Sequence, residues 1–136
     1  MNTDLRKNGF ANITLWATAF IYIGFSIWLA TRPDDLLSAF GITHSTPQMR
    51  TEIRAFYGGI ELGIAGVMIL LWRMKQAAIG LIVGGVPLAG SALGRFLGMS
   101  LEGIDSTHLV LAGFELLGSF TCLLAAYLHG SIAPRK

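Results

Sequence analysis

Residues 77–94, AAIGLIVGGVPLAGSALG, decide the fold. The stretch runs its whole length without a charged side chain, and a helix needs roughly 20 mostly apolar residues to cross a hydrocarbon layer. Working outward, residues 13–30, 55–72 and 109–128 read the same way, the second and fourth each interrupted by one glutamate. These spans fill more than half of the 136 residues and leave only tails and loops. Composition agrees: 53% of residues are hydrophobic and 13% charged, against about 25% charged in a soluble domain, and mean hydropathy is +0.60. The chain reads as one all-α domain over residues 1–136, an integral membrane four-helix bundle. Disorder, a collagen-like fibre, a disulfide scaffold and an ordinary soluble enzyme are excluded. With a net charge of +2 and no run of Lys or Arg, a nucleic-acid partner is not expected.

The first span follows Arg6 and Lys7, as a signal peptide would. Its apolar run exceeds the usual 7–15 residues of such a peptide, and cleavage after Ala30 would put Trp28 where a small residue belongs. It reads as a retained span. Arg6, Lys7, Arg73, Lys75, Arg135 and Lys136 fall on one side of the membrane; most acids, with Arg32 and Arg50, fall on the other. The bias of short basic loops toward the cytoplasm puts both termini there, in a multi-pass protein of the bacterial inner membrane. Trp16, Trp72 and Tyr127 then belong to the inner aromatic belt and Trp28 to the outer one. Cys122, alone and within a span, makes no internal disulfide and reads as a small packing residue.

The first outer loop carries its own signals. Pro33 suits a first helical position, Asp34 and Asp35 suit the positive end of a helix dipole, and Gly41 suits a stop. A short interfacial helix is predicted there, with Leu36, Leu37 and Phe40 on one side. Thr46 and Pro47 start the next helix well before the membrane.

Charges inside the spans are the informative exception. A charge at the bilayer centre costs about 2.5–3.5 kcal/mol on insertion scales, so such groups face the bundle interior and find partners. Helical spacing predicts one polar stripe per span. These are Thr14, Thr18, Tyr22 and Ser26; then Arg50, Arg54, Tyr57, Gly58 and Glu61; then Gly84, Pro87, Ser91 and Arg95; then His108, Glu115, Ser119 and Cys122. The candidate site is therefore the cluster Arg54, Tyr57, Gly58, Glu61, Arg95, His108 and Glu115, in the outer half of the bundle. Arginine stays protonated, so the count allows two Arg–Glu pairs: Arg95 with Glu61 or Glu115 is the leading contact, and Arg54 takes the remaining acid or an outer-loop group. Ala65, Met68, Leu81 and Leu124 fill a dry inner half. Glycines at four-residue spacing, Gly90, Gly94 and Gly98 among them, are expected to let helices pack closely. Pro87 is expected to bend the third span.

The motif R-A-x-Y-G-G (Arg54, Ala55, Tyr57, Gly58, Gly59), with Pro33 after the first span, Gly94-Arg95 closing the third and Glu115 in the fourth, resembles a bacterial family of four-span membrane proteins, domain of unknown function 4345. The resemblance covers roughly residues 13–128. It implies the fold and a signature of Arg54, Tyr57, Gly58, Arg95 and Glu115, and it brings no activity.

Three function classes follow. An enzyme is not expected: a haem would need facing axial ligands, a metal a third ligand, and neither a phosphate loop nor a Gly-x-Ser-x-Gly elbow is present. No cofactor or metal is expected either. An oligomeric proton-coupled small-molecule transporter needs an acid that exchanges protons and a passage below Glu61. A binding or accessory subunit needs only an outward-facing polar pocket for a lipid or small amphiphile. The last is favoured, with membrane lipids and a homo-oligomer or larger membrane complex as partners. Paired charges that merely fix helix register are the plain alternative for the cluster.

Overall fold

The computed structural model describes residues 2–130, with side chains from Gly9 onward. Arg135 and Lys136, and the side chains of Arg6 and Lys7, lie outside what is described. Among the described residues every regular element is helical: α1 (Asn2–Thr31), α2 (Pro33–Ala39), α3 (Pro47–Ile53), a π-helical segment (Arg54–Ile60), α4 (Glu61–Arg73), α5 (Ala77–Glu102) and α6 (Ser106–Leu128). Segments within residues 9–31, 47–73, 77–102 and 106–128 are long and apolar enough to cross a membrane. Helix α1 is central and touches α4, α5 and α6, while α5 pairs most extensively with α6.

The helix ends follow the local chemistry. Pro33 begins α2, Asp34 and Asp35 occupy its first turn, and Gly41 takes a φ of +77° just beyond it. Thr46 caps α3 by accepting a bond from the Met49 N–H, with Pro47 next. Helix α2 is fastened twice: Leu37 packs with Leu29 and Ile53, and the Trp28 indole donates to Asp35 at 2.8 Å. The turn between α4 and α5 is a Schellman motif. The Lys75 N–H bonds the Trp72 carbonyl and the Gln76 N–H bonds the Leu71 carbonyl. Its left-handed position, normally glycine, holds Lys75 at φ 61°.

Lower in the bundle, toward the end that bears the chain's N-terminus, packing is close. Leu15, Ala65, Met68, Leu81, Cys122, Ala125 and Ala126 are fully buried. A Cβ on Gly84 would meet the Met68 sulfur at 2.7 Å, and one on Gly85 would meet Cys122 Cβ at 2.9 Å. Polar groups here are satisfied across helices: the Tyr22 hydroxyl donates to the Gly84 carbonyl at 2.8 Å, and Thr18 meets Cys122 at 3.2 Å.

Several expectations need correction. Helix α5 continues to Glu102, so Arg95 lies well inside it rather than closing it. Pro87 faces outward, off the inward polar stripe to which spacing assigned it. Leu124 is exposed, because the α6 face that carries Cys122 also carries Ala125 and Ala126. Gly90, Gly94 and Gly98 have open space where a Cβ would go, whereas Gly80, Gly84 and Gly85 make the close contacts. The spacing is the same; the depth of burial is not.

Candidate functional site

The motif Arg54–Gly59 lies inside the π-helical segment, which changes the face each residue presents. A π turn closes over five residues instead of four and occurs mostly as short insertions at functional sites. Burial steps accordingly from Ile53 to Gly58, five positions, before returning to Ala65 and Met68. Gly58 sits against α1, where a Cβ would touch Ala30 Cβ at 3.5 Å, and the Ser26 hydroxyl donates to its carbonyl at 2.7 Å. The segment thus leans on α1 and hardly touches α5. A groove of about 490 Å³ opens where they part, with Tyr57 on one wall and Ser91, Gly94, Arg95, Gly98 and Met99 on the other. Glycines at 94 and 98 hold that space empty.

At the base of the groove, residues from α5 and α6 form a connected network. Arg95 Nε lies 3.0 Å from both carboxylate oxygens of Glu115, and the Ser91 hydroxyl donates to Glu115 Oε1 at 2.7 Å. The two charged side chains are 17% and 15% exposed, so the pair is mostly withdrawn from solvent. Arg95 also reaches His108 Nδ1 at 3.0 Å. Guanidinium groups only donate, so His108 accepts through Nδ1 and carries its proton on Nε2. The Phe40 ring, just past α2, stacks on His108 with centroids 5.4 Å apart and an interplanar angle of 23°. Asp105 caps α6 by accepting from the His108 N–H at 3.0 Å, which holds its carboxyl below the usual range.

Of the residues singled out in sequence, Arg95, His108 and Glu115 meet, and Tyr57 faces them across the groove. Gly58 serves the contact with α1. Arg54 does not pair with an acid: its Nε donates to the Ala30 carbonyl at 3.0 Å, where a cation meets the negative end of α1. Glu61 reaches neither arginine, and its Oε2 is enclosed without a hydrogen-bond partner. Among the described residues Arg54 therefore forms no Arg–Glu pair, because the π segment takes Arg54 and Glu61 out of one stripe. Glu102 and Asp105, which also line the groove, and Phe40, expected only on the interfacial helix, escaped the sequence reading as site residues, although Asp105 before Ser106 carries an N-cap signal. Among the described residues no group of three or more His, Cys, Asp or Glu is disposed to hold a metal ion.

The family described as a domain of unknown function (DUF4345) matches residues 10–126, and the chain belongs to that family. No curated protein and no solved structure matches the chain.

Proposed function

We propose that, as a member of DUF4345, this protein is a binding or accessory subunit of the bacterial inner membrane, with both termini cytoplasmic, whose groove takes the head of a lipid or small amphiphile. The observation that carries this reading is the Arg95–Glu115–His108 network at the base of a glycine-walled groove. A pair that served only register would gain by being packed over, since apolar residues of similar volume stabilise as well as buried ion pairs do. Here the wall opposite is set back and two glycines leave room. Polar groups on the floor and apolar flanks fit a molecule with both characters.

The test is retention of single-chain amphiphiles with anionic, zwitterionic and cationic heads, read by native mass spectrometry of the purified protein. One head class should bind saturably to the wild type and be lost in Gly94→Phe, which fills the groove. Equal retention of all three by both proteins would dismiss the groove as a site.

Glu61 favours a second reading, an oligomeric proton-coupled transporter, because its enclosed carboxyl has no partner. Against it, Leu15, Ala65, Met68 and Leu81 close the bundle below. Proton uptake into liposomes that is abolished by Glu61→Gln would decide for transport.

A further inference from the structure

The opposite end of the bundle holds a second cavity, of about 510 Å³, lined by Asn12, Trp72, Arg73, Lys75, Ala77 and His129. Its chemistry is one-sided. Among the described residues Arg73 and Lys75 make no ion pair and the lining holds no carboxylate. The Trp72 indole donates to Asn12 Oδ1 at 3.0 Å, which turns the Asn12 amide nitrogen, a donor, away from Trp72. His129 Nδ1 is enclosed and has no hydrogen-bond partner among the described residues.

Backbone groups reinforce the bias. Several helix-end carbonyls nearby are already used: those of Leu70, Leu71 and Trp72 by the turn after α4, and those of Ala125 and Tyr127 by the end of α6. The first turn of α5, which begins at Ala77 in the wall, has no side-chain cap, so its free N–H groups are donors as well. Lys75 stands at a left-handed position where glycine is the unstrained choice, and it adds a charge that glycine would not.

Cations, donors and one unsatisfied ring nitrogen at a membrane-facing helix end call for an anion with several acceptor oxygens. Basic pockets between transmembrane helices recognise such groups on lipids. We propose that this cavity binds the phosphate of an anionic phospholipid headgroup. The described lining carries Arg73 and Lys75 and no carboxylate for the ammonium of a zwitterionic lipid, so phosphatidylglycerol is preferred over phosphatidylcholine. Trp72 lines the cavity and meets Trp16 edge-on with ring centroids 5.1 Å apart, a pair suited to the headgroup level of a membrane interface. This site is independent of the groove proposed above.

The experiment titrates the delipidated full-length protein in detergent with phosphatidylglycerol, phosphatidylcholine and inorganic phosphate, each read by native mass spectrometry. Phosphatidylglycerol should bind saturably and more tightly than phosphatidylcholine. Arg73→Gln with Lys75→Gly should weaken it about 30-fold, two surface cations' worth, while Arg32→Gln at the other end changes it less than about twofold. Lys75→Gly relieves the left-handed strain, so its melting temperature verifies that the fold is retained. Equal binding of the two lipids, or a double variant that behaves as the wild type, would overturn the proposal. Displacement of phosphatidylglycerol by inorganic phosphate at the same residues, with no preference between lipids, would assign the cavity to the free ion instead of a lipid.

Discussion

The two ends of the bundle handle polarity in opposite ways. At the groove end a cation, an anion, an imidazole and a hydroxyl close on one another, so each desolvated group has its complement within about hydrogen-bond distance. At the other end donors outnumber acceptors among the described residues, and the enclosed ring nitrogen of His129 has no partner among them. The first arrangement satisfies its own charges before any ligand arrives; the second, on the proposal above, is completed by an anion from the membrane. Removing a member should therefore disturb folding as well as binding at the first end and association alone at the second.

The largest effect expected is from Arg95→Ala. It strands Glu115 without a cation in a mostly buried position, and thermal unfolding in detergent should report a loss of about 2–4 kcal/mol. Arg95→Ala combined with Glu115→Leu should recover most of it, since the uncompensated charge is gone. If the single variant melts like the wild type, the distinction between the two ends fails.

Packing variants sharpen the comparison along α5. Gly85→Ala puts a methyl 2.9 Å from Cys122 Cβ and 3.3 Å from the Ser119 carbonyl, and should cost about 1–3 kcal/mol. Gly90→Ala enters open space and should be neutral or gain up to about 1 kcal/mol from helix propensity. Melting curves of the pair should move in opposite directions or differ clearly in size.

At the donor-rich end, Lys75→Gly should raise folding stability by about 1 kcal/mol, as the left-handed conformation costs a side chain roughly that much. It should do so while weakening lipid retention, a separation that Arg95 variants cannot show.

The smallest effect belongs to Asp105→Ala, which removes the α6 cap at an exposed position. Because folding lowers the Asp105 pKa, its contribution is present above the ordinary carboxylate range and fades as pH falls through the lowered value. The melting difference between variant and wild type should accordingly be visible at neutral pH and vanish in strong acid.

Much of this was legible in the chain. The spans, the caps at Thr46 and Pro33, and the stripes Thr14–Tyr22–Ser26 and Glu115–Ser119–Cys122 follow from a period of 3.6, and burial agrees with it. Arg95 with Glu115 was one of two pairings the spacing allowed. What misled was the stripe through Arg54 and Glu61. A π turn has no sequence signature as plain as a proline or a cap, and one such insertion rotates every later residue relative to every earlier one. Glycine spacing misled similarly, because Gly90 and Gly84 look alike in a row of letters while only one has a neighbour.

Hydrophobicity and periodicity, then, were enough to set the number of spans and the faces that avoid lipid, since those depend on what a helix must bury along its own length. Helix α5, by contrast, runs on from the expected end at residue 94 to Glu102. Which arginine met which glutamate, where a wall stood back to leave a groove, and which end kept unmatched donors were settled only when helices met. Each depends on the phase and distance between separate segments, and a single π turn at Arg54–Ile60 was able to reset both.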